Sequence, residues 1–192
     1  MSVEVKLCGL SSKISHGRCP VGEYSITVDV NWGEPLKGVV ETIALMFPPS
    51  KVSYSREFGS VTLRIKGRMI GIYSSGKISF CAHNVDDARE VVEYVKDLIS
   101  KAKEKIAREG VPDQGRVERW TRMSALQLYK FLPKTNCRKC GELTCLAFAI
   151  KVLNGEKKLR ECKPLGELEN EALLEGLKKE LGLSALETLG WG

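Results

Sequence analysis

Four cysteines between residues 137 and 162 restrict this chain more than any other feature. Cys137, Cys140, Cys145 and Cys162 follow one another with two, four and sixteen residues between them. Two cysteines flanking two residues let one tight loop aim both sulfurs at a common centre, and Gly141 frees the backbone directly after the second. Cys145 opens the run CLAFAIKVLNG, where Thr144 can cap a helix and Gly155 can end it. Its sulfur is therefore expected at the positive end of a helix dipole, a position that favours the thiolate. The fourth cysteine stands alone beyond that helix.

Whether such a set forms disulfides depends on the compartment. No apolar run approaches the ~20 residues needed to cross a bilayer, and the start, MSVEVKLCGLSSK, lacks the basic-then-apolar layout of a secretory leader. A cytoplasmic location is expected, where reduction disfavours disulfides; seven cysteines, being odd in number, cannot all pair within one chain. Four thiolates hold either a tetrahedral zinc ion or a [4Fe-4S] cube. Zinc sites of four cysteines usually come as two C-x2-4-C knuckles, and the second knuckle is missing. Three cysteines in a compact loop plus a remote one near a proline, here Cys162 and Pro164, is an arrangement that cubane clusters use. The spacing favours the cluster, with zinc and unrelated free thiols as the other readings.

Charge points the same way. Between residues 130 and 163, nine basic side chains (Lys130, Lys134, Arg138, Lys139, Lys151, Lys157, Lys158, Arg160, Lys163) face three acidic ones (Glu142, Glu156, Glu161). The resulting +6 equals the formal net charge of the whole chain. A cubane with a 2+ core and four thiolates leaves its site at −2, so nearby cations ease the addition of an electron. A basic collar also suits an acidic electron carrier. A solvated lysine-rich helix face is the plain alternative.

Upstream, residues 23–32 (EYSITVDVNW) alternate as a half-buried strand does. Pro35 opens a helical pattern through Leu36, Val39, Val40, Ile43, Ala44 and Phe47, which Pro48 and Pro49 stop. Short strands are expected over 51–56, 60–65, 68–73 and 77–82, with Gly59, Gly67 and the Ser75-Gly76 pair in the turns. Asn84 then caps a long amphipathic helix that Gly110 ends. The fold class is α+β. Residues 1–110 form an antiparallel sheet with two helices, residues 111–123 a linker, and residues 124–192 a small helical domain carrying the cysteines, with helices over 124–132 and 167–181.

Two resemblances add to this. The segment FGSVTLRIKGRMIGIYSSGKISFCAHNVDDAREVVEYVKDLI, residues 58–99, resembles one repeat of the TATA-binding-protein fold in its order of elements, its small-residue turn before Gly-Lys and its acidic helix start. It implies half a saddle, which a homodimer through the N-terminal sheet would complete. It also places Phe58 and Tyr73 where that family inserts phenylalanines between base steps, as candidate nucleic-acid contacts. The run ALQLYKFLPKTNCRKCGELTCLAFAIKVLNGEKKLRECKPL, residues 125–165, resembles the small [4Fe-4S] domain of the large subunit of corrinoid iron-sulfur proteins and of the cluster-bearing subunit of membrane electron-transport complexes. That resemblance implies that Cys137, Cys140, Cys145 and Cys162 ligate a [4Fe-4S] cluster. Methyl transfer is not carried over by so short a stretch.

Other candidates carry less. Cys8, His16 and Cys19 match no common ligand spacing. Cys81 and His83 fall on one face of the last strand, where a structural role is expected. Ser74-Ser75-Gly76-Lys77 lacks the frame of a phosphate loop and reads as a turn. With only two histidines and no paired-carboxylate or nucleotide motif, catalysis by this chain alone is not expected. The leading expectation is a one-electron module for a protein partner, either an acidic carrier or a corrinoid or oxidoreductase enzyme. A nucleic-acid-associated protein with a structural or sensing cluster and a structural zinc adaptor are the alternatives.

Overall fold

A computed structural model describes residues 2–17 and 24–191. The chain forms two compact units, one of Met1–Ala44 with Val52–Gln114 and one of Leu45–Lys51 with Gly115–Gly192.

The first, the sheet unit, contains β1 (Ser2–Leu7), β2 (Leu10–His16), β3 (Ile26–Asn31), β4 (Val52–Ser55), β5 (Ser60–Ile65), β6 (Arg68–Tyr73) and β7 (Lys77–Ala82). They form one antiparallel sheet in the order β1-β2-β3-β7-β6-β5-β4. Two helices accompany it, α1 (Val39–Leu45) and α2 (Val85–Glu109). Alternation puts Ile26, Val28 and Val30 of β3, Val61 and Leu63 of β5, Ile70 and Ile72 of β6, and Ile78, Phe80 and Ala82 of β7 in the core. The stripe Ala88, Val91, Val92, Val95, Leu98, Ile99 and Ala102 of α2 is buried with them. Each fully buried aliphatic side chain stabilises by about 1.5–3 kcal/mol, so this core holds the unit through many similar contributions.

The ends of α2 form as its sequence implies. Asn84 accepts the Asp87 amide at 2.9 Å, and the Gly110 amide, at φ 81°, closes on the Ile106 carbonyl. Asp87 also accepts from Arg68 at 2.8 and 3.1 Å and from the His83 amide at 2.8 Å. Burial works against ionising Asp87, but those donors outweigh it and hold its carboxyl below the usual carboxylate range.

Two differences from the sequence expectation appear in this unit. The hairpin β1–β2 extends the sheet beyond β3. Its strands carry few apolar residues, and its turn rests on Cys8 and Gly9, both left-handed at φ 51° and 85°. Helix α1 begins at Val39 rather than near Pro35, because Gly38 is left-handed at φ 78° and donates its amide to Glu41 at 2.9 Å.

The second, the cysteine unit, contains α3 (Gln114–Thr121), which starts at the last residue of the sheet unit, α4 (Ala125–Tyr129), α5 (Cys145–Leu153), α6 (Glu171–Leu181) and α7 (Leu183–Thr188). Helix α3 occupies most of the stretch expected as a linker over 111–123. Val117 and Trp120, three residues apart on one face, are fully buried, and the Trp120 indole donates to the Phe47 carbonyl at 3.1 Å. The surrounding charges and Gly115 concealed this pair in the sequence. The Thr188 hydroxyl likewise donates to the Leu45 carbonyl at 2.6 Å, so residues 45–51 belong with this unit. No helix among the described residues is long and apolar enough to cross a membrane.

Candidate metal centre

Three pieces of local structure present the four cysteines. Cys137 and Cys140 lie in the loop between α4 and α5, Cys145 is the first residue of α5, and Cys162 sits between the short turns Leu159–Glu161 and Lys163–Gly166. All four line one small pocket, together with Asn136, Phe148 and Pro164 among others. The remote fourth cysteine is thus brought back to the three in the loop. Exposure is graded across the set: Cys137 is exposed and Cys140 half-buried, while Cys145 and Cys162 retain 8% and 6% of their surface.

The loop is bent unusually hard. Lys134, Asn136 and Arg138 have φ of 59°, 47° and 61°, and Gly141 has 84°. A left-handed residue other than glycine costs roughly 1–2 kcal/mol, so three of them within five residues mark a backbone held for a purpose. Asn136 tolerates this conformation best, and its side-chain oxygen accepts the Cys145 amide at 2.9 Å, tying the loop to the helix start. Thr144 caps α5 as expected, accepting the Ala147 amide at 3.0 Å.

Two lysines lace the parts together. Lys157 donates to the Cys140 carbonyl at 3.2 Å and to Glu161 at 2.9 Å, and Glu161 also accepts the Lys158 amide at 2.7 Å. The loop bearing Cys140 is therefore joined to the turn bearing Cys162. Lys151 pairs with Glu142 at 2.9 Å. The ties by Lys157 and Asn136 were missed from sequence; the i,i+4 spacing of Lys157 and Glu161 was the one readable hint.

The thiols are not equivalent. Hydrogen bonds from the Lys139 amide and the Thr135 hydroxyl hold the Cys137 thiol below its ordinary value, whereas burial pushes the Cys162 thiol up. A donor set of sulfur alone fits soft centres, namely zinc, copper(I) or an iron-sulfur cluster. Four sulfurs around one zinc ion sit about 3.8 Å apart, given bonds of about 2.3 Å. Among the described residues no group of three cysteine, histidine or acidic side chains is placed to hold a single ion.

The remaining candidates lie in the sheet unit. Phe58 is 70% exposed in the turn between β4 and β5, and Tyr73 is half-buried at the end of β6. Both flank the point where the Ser74 amide donates to the Gly59 carbonyl. Ser74 to Gly76 is a turn leading into β7 at Lys77, with Gly76 at φ 91°. Cys8 occupies the β1–β2 turn and His16 ends β2, while Cys19 lies outside the described residues. Cys81 is half-buried on β7, its sulfur 3.9 Å from the Thr27 hydroxyl, and His83 packs its ring on Tyr24 at 4.6 Å.

Comparison with known proteins bears on the cysteine unit alone. Residues 132–164 match the family described as "Putative Fe-S cluster". The acetyl-CoA decarbonylase/synthase complex subunit gamma of Methanosarcina acetivorans is 52% identical over 42 residues, 22% of this chain and 9% of that protein. That of Methanocaldococcus jannaschii is 51% identical over 41 residues, 21% and 8% respectively. The corrinoid/iron-sulfur protein large subunit of Moorella thermoacetica is 43% identical over 51 residues, 27% of this chain and 11% of that protein. The matched part of the chain spans about a tenth of the length of these relatives. No solved structure matches. The C-terminal part of the chain is thus similar to short segments of the gamma subunits and of the corrinoid/iron-sulfur protein large subunit, and all four cysteines fall within residues 132–164, which match the iron-sulfur family model.

Proposed function

We propose that Cys137, Cys140, Cys145 and Cys162 bind one [4Fe-4S] cluster, and that the chain serves a partner protein as a one-electron module rather than as an enzyme. The observation that carries this reading is the convergence of four thiols from three separate elements on one pocket, inside the segment that matches the iron-sulfur family model. When bound, such a cluster supplies one-electron chemistry at a potential set by its hydrogen bonds, charge and exposure. This chain's contribution is to orient and enclose. Asn136 and Thr144 fix the start of α5 and so the Cys145 sulfur; Lys157 and Glu161 fix Cys140 relative to Cys162; Phe148 and Pro164 give the pocket an apolar wall. The relatives are named as subunits of larger assemblies, which supports a protein partner.

Anaerobic reconstitution with iron and sulfide tests the reading. A brown protein with iron and sulfide in the 4:4 ratio of the cube, and an electron paramagnetic resonance signal after reduction, is expected. Both should vanish in Cys140→Ala. A colourless protein holding one zinc ion through the same cysteines would overturn the proposal.

A further inference from the structure

Helix α5, CLAFAIKVL, carries one charged residue in nine. Its buried side, Cys145, Phe148, Ala149, Val152 and Leu153, faces the core of the cysteine unit. A helix that is apolar all round is normally enclosed, and a surface helix normally shows polar residues on its outer side. Here the opposite stripe is Leu143, Ala147 and Ile150, at helical spacing, and it meets solvent: Leu143 is 71% exposed and Ile150 47%. A leucine just before an N-cap usually folds back over the fourth helical residue, here Phe148. Leu143 instead stands out beside the cysteine loop.

That loop holds Cys137, the exposed member of the thiol set, with Arg138 and Lys139 exposed next to it. The nearby acids do not offset these charges, because Glu142 and Glu161 are already paired with Lys151 and Lys157 at 2.9 Å each. Among the described residues, neither Arg138 nor Lys139 has an acidic partner within ion-pair distance. The surface therefore has an apolar centre, a cationic edge and a sulfur ligand at its margin. Its complement is a protein surface with an apolar centre and an acidic edge.

We propose that the outer stripe of α5 and the adjoining edge of the cysteine loop form the docking face for an acidic one-electron carrier protein, with the electron crossing on the Cys137 side. This deepens the cluster reading above and rests on it. In the step, the carrier loses one electron and the cluster core passes from 2+ to 1+, or the reverse; no proton or atom is transferred.

The test mixes the full cluster-loaded chain with an acidic [2Fe-2S] ferredoxin in a stopped-flow instrument, in the direction the two midpoint potentials allow. At low salt, Ile150→Glu and Leu143→Glu should each lower the bimolecular rate about tenfold, as should about 0.5 M salt on the parent. Cluster content, paramagnetic signal and the rate of reduction by dithionite should stay unchanged. Rates within twofold of the parent in all variants, equal slowing with dithionite, or a dimer seen by sedimentation and broken by Ile150→Glu would each overturn the docking proposal. Failure of the parent to retain iron and sulfide would instead overturn the cluster reading beneath it.

Discussion

The sheet unit and the cysteine unit are held by different kinds of material. In the sheet unit, cohesion is spread over strand after strand of alternating aliphatics against one helix stripe, with about the same gain at each position. In the cysteine unit, left-handed loop residues and one-turn helices surround four thiols, and a few side chains, Asn136, Thr144 and Lys157, hold the arrangement. The first kind of structure tolerates the loss of any one contribution. The second depends on a few, and a cluster held there, as proposed, would count directly as folding free energy.

The sharpest way to break this contrast is to remove the proposed cluster. Extraction with a chelator, or Cys162→Ser, should leave the amides of β5, β6 and β7 protected in hydrogen exchange while those of α5 lose protection by orders of magnitude. Equal loss in both units would erase the distinction. Next in size is Leu63→Ala, at a fully buried position of β5. It should cost about 2–5 kcal/mol in denaturant unfolding of the sheet unit and leave the visible absorption of the cluster unaltered.

Asp87→Asn comes third, at about 1–3 kcal/mol, because it breaks a mostly buried pairing with Arg68. The sign of its pH dependence follows from the lowered carboxyl of Asp87. A depressed acid contributes its stability above the unfolded value and loses it as pH falls through the folded one. The gap between parent and variant should therefore be full at neutral pH and close in acid below the ordinary carboxylate range. Smallest is Thr144→Ala, which removes the cap of α5 and should cost about 1 kcal/mol, read as faster exchange confined to the first turn of that helix.

Legibility in the sequence followed the same division. Strands β3 to β7 and helix α2 were readable because alternation and helical periodicity are local properties of the chain. The hairpin β1–β2 was not, since its few core side chains, Leu7, Ser12 and Ile14, are too sparse and mixed to make a pattern. Helix α3 hid for a related reason: its fold rests on Val117 and Trp120, and the acceptor for Trp120 lies 73 residues away. Spacing alone singled out the four thiols that line one pocket. Their ordering from exposed Cys137 to buried Cys162 was not visible, nor was the bridge from Lys157 to the Cys140 carbonyl, because both depend on how α5 turns the chain back on itself.

The short piece from residue 45 to 51 has a consequence for how the molecule can be dissected. It is made long before the cysteines are, yet Leu45 and Phe47 supply carbonyls to Thr188 and Trp120. No single cut between residues 111 and 123 yields the cysteine unit whole. A fragment starting at residue 115 would leave the Trp120 indole without its carbonyl acceptor. The unit is discontinuous in the gene although compact in space, so an excised version needs a graft of residues 45–51, or a circular permutation that carries them across.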